Sequence, residues 1–392
     1  MMQHSFKLMW NQKRKYGFIL LELFVIFVVI FMTTIYMIDN MTKYFQGTGT
    51  NIERVYFMKI HQTGEESNVD PGFDKIRQRL AQTEFVREAS LSHQASPYVS
   101  GYSTRTFHHG ENLTKASFCV ADSWFPSVLQ PELKSGRWFR PDERTRGIEI
   151  PAVINQKLAA KLFPGQDPIG KTIQDDGHRY VVQGVIDQYK RRDFRSEGST
   201  LFIPFSHWYR PNRGSVDLLI RYPEGAFPKP RKYAEVVFSV LPREHFQITQ
   251  SARLEAVKQQ SNSNTSGDML FVTLIVGFLL FNLMLGLVGI LGYHVNQRIS
   301  EMGIRRAVGS TRRKVRGLIF LEMLVLTLMA TIPALFLVVQ IPALELMPMS
   351  WGLFIQGMLV SLAIIAIFVS ISVMYPGIVA SKIRPALALK EE

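Results

Sequence analysis

The eight residues Gly165-Gln166-Asp167-Pro168-Ile169-Gly170-Lys171-Thr172 fit the pattern G-x-x-x-x-G-K-[ST] at every position, and a loop of this kind can cradle phosphates with its backbone N–H groups. A working cradle needs a buried strand before it and a helix after it, so that the helix N-terminus converges on the anion. Here the order is reversed. Residues 155–163 have the apolar spacing of a helix, residues 171–182 read as a hairpin, and Pro168 removes an N–H from the loop. The stretch is therefore expected to be a tight turn rather than a nucleotide site. His93, His108 and His109, with Glu111, are the other ligand-type residues. Adjacent histidines cannot share a helical face and no second pair follows at ligand spacing, so no metal site is expected. No Ser/His/Asp or paired-carboxylate arrangement stands out, and no catalytic residue is assigned.

A different kind of chemistry, recognition of another protein, is written in residues 296–316. This segment holds seven Lys/Arg against one Glu and is flanked by long apolar runs. Read as a helix, Ile304, Ala307 and Val308 fall at i, i+3 and i+4 and make a narrow apolar ridge, while Glu301 and Arg305 form a favourably oriented i, i+4 pair. Gly309 can end that helix and Ser310 or Thr311 can cap the next. Arginines alone would only hold a loop on the cytoplasmic side. The ridge among them needs a groove to enter.

The elements that must position this segment are membrane spans. Residues 17–38, 268–293, 317–342 and 351–375 are almost free of charge, and each has the ~20 residues needed to cross a ~30 Å hydrocarbon core as a helix. The first is too long for the apolar core of a signal peptide and lacks a small-residue cleavage pair, so it is expected to stay as an anchor. Glu22 and Glu322 each occupy the sixth position of a span, at a similar depth of roughly 8 Å from its start. An ionised group at mid-membrane costs about 2.5–3.5 kcal/mol on insertion scales, but this near the edge a side chain can reach water or basic partners. The two acids therefore either snorkel to the interface or face other helices and lock the spans together. Gly286, Gly289 and Gly292 supply small-residue contact points on the second span.

Charge sets the orientation. Residues 1–15, the segment 294–316 and the tail 376–392 together carry fourteen Lys/Arg against three Glu, which is +11 of the chain's +13. All three pieces belong on the cytoplasmic side by the positive-inside rule. Since the remainder is nearly neutral, the basicity reports topology and not a nucleic-acid partner. The segment 1–16 mixes Phe6, Leu8, Met9 and Trp10 with its basic residues, as an amphipathic helix in the lipid interface would. A single cysteine, Cys119, excludes an intramolecular disulfide, so residues 39–267 must fold on their own core.

Within that domain, residues 52–60, 71–82 and 85–93 read as strand, helix and strand, and 215–221, 230–241 and 245–254 repeat the order. Two such units suggest ferredoxin-like halves, about 50–96 and 215–255, separated by an insertion at 97–214. The Ser/Asn run 261–266 reads as a polar hinge or a frayed stalk leading into the second span. The expected class is a membrane protein with four transmembrane helices and a large α+β extracytoplasmic domain between the first two.

The run Glu301-Met302-Gly303-Ile304-Arg305-Arg306-Ala307-Val308-Gly309-Ser310-Thr311-Arg312-Arg313 resembles the coupling-helix motif of the MacB/FtsX family of ABC-transporter permeases, in the type VII ABC superfamily. Further resemblance lies in Gly136-Arg137, Ala152-Val153-Ile154-Asn155, Leu158-Ala159, Leu162-Phe163 and Pro168-Ile169-Gly170-Lys171, and in the tail at Tyr375-Pro376 and Arg384-Pro385-Ala386-Leu387. It is weakest over residues 60–115 and 190–250. The resemblance implies that residues 301–309 dock into a separate cytoplasmic ABC ATPase, present in two copies, that binds ATP and Mg2+, with no cofactor in the permease itself. It implies a second permease, identical or paralogous, and motion of the periplasmic domain rather than a solute channel. Export or efflux across the cell envelope is the expected role, with a periplasmic adaptor and an outer-membrane channel as further partners. The alternative is an FtsX-like anchor that regulates an envelope enzyme and transports nothing.

Overall fold

The computed structural model describes residues 13–63, 72–99, 101–141, 149–175, 177–208, 215–297, 304, 307–347 and 349–381. The chain divides into two compact units, residues 42–265 and residues 1–41 with 266–392. In chain order the helices are α1 Lys13–Phe45, α2 Phe73–Ala81, α3 Phe125–Leu129, α4 Gln156–Leu162, α5 Phe205–Trp208, α6 Pro230–Phe238, α7 Leu254–Gln297, α8 Arg312–Ala343 and α9 Trp351–Ser381. The strands are β1 Val55–Gln62, β2 Glu88–His93, β3 Ser103–His109, β4 Asn112–Ala121, β5 Leu133–Gly136, β6 Glu149–Asn155, β7 Thr172–Gln174, β8 Arg179–Ile186, β9 Thr200–Pro204, β10 Ser215–Arg221 and β11 Phe246–Arg253.

Residues 42–265 build one sheet. Its first part runs β11-β1-β10-β2 with every neighbour antiparallel, the interleaving expected when two β-α-β units share a sheet. Strand β1 shows why it sits centrally: Val55 and Phe57 enter one core, while Tyr56, Met58 and Ile60 enter the other, following the two-residue period of a strand. Phe73, Ile76 and Leu80 of α2, and Tyr233 and Val237 of α6, cover the second of these faces. The block 97–214 extends the same sheet instead of standing apart, joined where β2 pairs with β4. There β4, β3, β7, β8, β6 and β9 pair in turn, and β9 returns to β4 in parallel. The six strands close on themselves, which removes exposed edges.

In the other unit, α1, α7, α8 and α9 are long and apolar enough to cross a membrane. Leu23, Phe27 and Phe31 of α1 form a stripe at intervals of one turn, packed in one core with Leu283 and Leu287 of α7, Ile319 and Met323 of α8, and Phe354 and Ile365 of α9. Thr327 and Thr331 return their hydroxyl protons to carbonyls one turn earlier, at 2.8 and 2.7 Å, so neither hydroxyl meets hydrocarbon without an acceptor.

Several boundaries differ from expectation. Residues 261–266 form no hinge: they lie inside α7, where Asn262 donates to Asp193 at 2.7 Å, a tertiary contact that overrides weak helix propensity. Helix α8 starts at Arg312 rather than 317 because Thr311 caps it, accepting from Lys314 N at 3.3 Å. The tail expected from residue 376 begins as helix, α9 continuing through Pro376 to Ser381, proline being tolerated within membrane helices. Of the interfacial segment 1–16, only residues 13–16 lie within the described residues, as the first turn of α1.

Candidate functional site

Between α7 and α8 the described residues of the docking segment are Ile304, Ala307, Val308 and Gly309; Glu301, Met302, Gly303, Arg305 and Arg306 lie outside the described residues. Val308 N donates to Ile304 O at 3.0 Å, one helical turn. Gly309 ends it with φ +98°, a conformation that an L side chain would strain. Both large aliphatic residues of the turn face solvent, Ile304 being 48% exposed and Val308 84%.

Within the membrane unit the structure brings together two residues predicted separately. A Cβ placed on Gly286 of α7 would lie 3.3 Å from Glu22 Oε2 of α1. The missing side chain makes room for the carboxylate, so glycine and acid form one contact between the first two spans. Gly289 has no such neighbour, nor does Gly292, and Glu322 is half-buried on α8. A tighter contact was not predicted: Gly357 of α9, where a Cβ would come within 2.6 Å of Ile35 Cγ1 on α1. Gly357 and Ser361 stand one turn apart, and this small-residue spacing is the signal that could have found the contact.

The nucleotide-type loop is a turn with four of its backbone donors already bonded. Helix α4 precedes it, capped by Asn155, and β7 follows. Gln166 N, Ile169 N, Gly170 N and Lys171 N donate to Phe163 O, Asp167 Oδ1, Val182 O and Pro168 O at 2.8–3.1 Å, and the Lys171 ammonium bonds Gln166 Oε1. No backbone donor in that set is free for a phosphate. His109 Nδ1 lies 2.8 Å from Thr172 O, His93 Nδ1 2.6 Å from Ser215 O, and His108 Nε2 3.3 Å from Gln174 Oε1. These rings serve the sheet, and among the described residues no group of metal-ligating side chains converges.

One cluster escaped the sequence reading altogether. The loop 187–199 between β8 and β9 grips residues 43–47 and the first turns of α7. Buried Asp193 accepts from Tyr98 Oη at 2.8 Å and Asn262 Nδ2 at 2.7 Å, and pairs with Lys258 at 3.2 Å. Lys190 donates to Asp193 O at 3.1 Å and to Lys43 O; burial pulls its ammonium pKa down, with Asp193 acting against that. Gln188 Nε2 donates to Gly47 O at 2.9 Å, and Phe194 stacks on Tyr44 at 5.3 Å. Nothing in local spacing signals these partners, which lie up to 147 residues away.

A chain with four membrane helices, an α+β domain between the first and second, and an exposed apolar turn between the second and third is built as a membrane permease. The MacB-like periplasmic core domain matches residues 23–229 and the FtsX-like permease C-terminal domain matches residues 273–385. The chain belongs to the MacB/FtsX-like family of ABC-transporter permeases. It is 24% identical over 238 residues to the macrolide export ATP-binding/permease protein MacB of Neisseria gonorrhoeae (strain ATCC 700825 / FA 1090), covering 59% of this chain and 36% of that protein. Pyoverdine export ATP-binding/permease protein PvdT of Pseudomonas entomophila (strain L48) is 27% identical over 243 residues, covering 58% of this chain and 34% of that protein. The uncharacterized ABC transporter permease YknZ of Bacillus subtilis (strain 168) is 24% identical over 227 residues, covering 56% and 55%. The chain thus spans about a third of the length of the ATP-binding/permease relatives and about half of YknZ. Among solved structures, the periplasmic region of MacB from Actinobacillus actinomycetemcomitans aligns with 55% of this chain and 94% of its own at 15% identity and a TM-score of 0.38. The extracellular domain of YknZ aligns with 50% and 100% at 15% identity and a TM-score of 0.35.

Proposed function

We propose that this chain is the permease subunit of an export system, coupling ATP hydrolysis by a separate cytoplasmic ATPase to movement of its extracytoplasmic domain. The observation that carries the reading is the solvent-facing turn of Ile304 and Val308, set between basic residues and held at the ends of two membrane helices. ATPase closure would press on that turn, and the spans would carry the displacement outward. For anything to move, the docked ATPase must favour one arrangement of the spans over another. ATP and Mg2+ belong to the ATPase, and the permease contributes no cofactor. Two permeases, identical or paralogous, stand over two ATPases in the inner membrane, with both termini of the chain in the cytoplasm. Export is favoured by the names of the relatives, macrolide export for MacB and pyoverdine export for PvdT.

The test is retention of the ATPase. Full-length chain purified from its own membranes is expected to bring an ABC ATPase with it, detected by mass spectrometry. Ile304→Asp, a charge at the centre of the apolar turn, should abolish that association while membrane insertion is unchanged. An undiminished yield of ATPase with Ile304→Asp would exclude docking at this turn.

A further inference from the structure

The loop 187–199 that grips the two helix segments also forms one wall of a cleft of about 220 Å3 in the extracytoplasmic domain, lined in part by Val99, Tyr102, Tyr189, Arg191, Arg192 and Arg195. Three arginines face one opening, and no described lining residue is acidic. The loop does contain three acids, but all are committed elsewhere, Asp187 lying 3.8 Å from the Lys134 ammonium. Asp193 is turned into the protein toward Tyr98, Asn262 and Lys258. Glu197 accepts from Asn155 Nδ2 at 2.6 Å and from Tyr189 N at 3.3 Å.

The three arginines are not equivalent. Arg191 is spent on structure, donating to Gln94 O, Val99 O and Gly101 O. Arg195 makes one long bond, 3.4 Å to Tyr102 Oη. Arg192 makes no side-chain hydrogen bond or ion pair among the described residues. Two guanidinium groups thus stand at the cleft without an anion, and a guanidinium presents a planar fork suited to a carboxylate or phosphate. Beside them the cleft is apolar, with Val99 and the face of Tyr102, whose ring lies 5.5 Å from the Arg191 guanidinium. A cavity of about 150 Å3 suffices for benzene, so the volume here accommodates an aromatic ring with a charged substituent.

We propose that this cleft is a binding site for an oxyanion carried on a small apolar or aromatic body, with Arg192 and Arg195 holding the oxyanion and Val99 and Tyr102 packing the body. The carboxylate of an organic acid and the phosphate of a monoester share this chemistry. Because the same loop holds Lys43, Gly47 and Asn262, an occupant stiffens the grip on these helix segments; that consequence rests on the mechanical reading above, whereas the binding itself does not.

The experiment is direct binding to the full-length chain in nanodiscs, by calorimetric titration, with benzoate, phenyl phosphate and benzyl alcohol as probes. Saturable binding of benzoate, phenyl phosphate or both, with none for benzyl alcohol, is expected, and which anion binds more tightly identifies the source. Arg192→Gln and Arg195→Gln should each weaken the anion by roughly tenfold, the scale of one lost charge-assisted hydrogen bond. Both side chains are at least partly exposed, so the variants should unfold at the wild-type temperature. Absence of saturable anion binding, equal binding of the alcohol, or affinity unchanged in both folded variants would overturn the site. None of these outcomes bears on ATPase retention at Ile304.

Discussion

Asp217 shows what a single buried charge does to this domain. It lies on β10 in register with Lys59 of β1, is 3% exposed, and accepts from Ser96 Oγ at 3.0 Å. Burial pushes its carboxyl up from 3.8 to about 6, with Lys59 and the Ser96 hydroxyl acting in the opposite direction. The folded chain therefore keeps this proton to a higher pH than the unfolded chain does. Its contribution to stability is complete below the ordinary carboxylate range and is lost as pH rises through about 6. Asp122, bonded to Ser90 Oγ and Leu91 N, is pushed up to about 7 by the same cause and steepens the same fall. Thermal unfolding of the full-length protein, followed by tryptophan emission, is expected to show lower stability at pH 7.5 than at pH 4.5. Asp217→Asn keeps the acceptor for Ser96 and removes the charge, so it should flatten part of that slope and stabilise the domain at pH 7.5 by roughly 1–3 kcal/mol. An unaltered slope would mean that Asp217 is held ionised by its neighbours.

At the scale of helices and strands, close approach between spans depends on which residue has no side chain. A Cβ at Gly357 would meet Ile35 Cγ1 at 2.6 Å, and that atom is attached directly to the branched Cβ, whose χ1 has little freedom in a helix. Gly357→Ala should lower the unfolding temperature of the detergent-solubilised protein, a cost of about 1–3 kcal/mol for an overpacked contact. Ile35→Ala in the same chain should recover most of it; failure to recover would show that the glycine serves some other need. What could be read in advance follows from the range of the interaction. Strand β10 was legible at both ends because alternation and its bounding residues are local, and the apolar spans were legible because solvation by lipid acts on every residue alike. The closure of six strands rests on β9 returning to β4 across 79 or more residues, and nothing in either strand names its partner. The contact of Glu22 with Gly286 was half legible: each residue was marked as unusual for its span, but not that the two belong together. Asp193 was missed because an acid beside the arginines of a surface loop looks like solvated charge until Tyr98, Asn262 and Lys258 are placed around it.

At the scale of the whole molecule, charge predicts which side of the membrane each segment between the spans faces. The segments flanking the spans carry +11 of the +13, and each basic residue left on the translocated side opposes insertion. The single native cysteine makes this testable without background. Cys119 is fully buried, and burial pushes its thiol up to about 11, so at neutral pH little thiolate is present and none is accessible. Two exposed positions then report topology: Glu244 in the domain and Arg312 at the start of α8. In spheroplasts, a membrane-impermeant maleimide should label Glu244→Cys and leave Arg312→Cys unlabelled until the membrane is permeabilised. The wild-type chain should remain unlabelled throughout. Because the exposed aliphatic turn at Ile304 precedes Arg312 by eight residues, labelling of Arg312→Cys from outside would put the turn beyond the reach of any cytoplasmic ATPase. That single result would remove the coupling mechanism while leaving the fold and the family untouched.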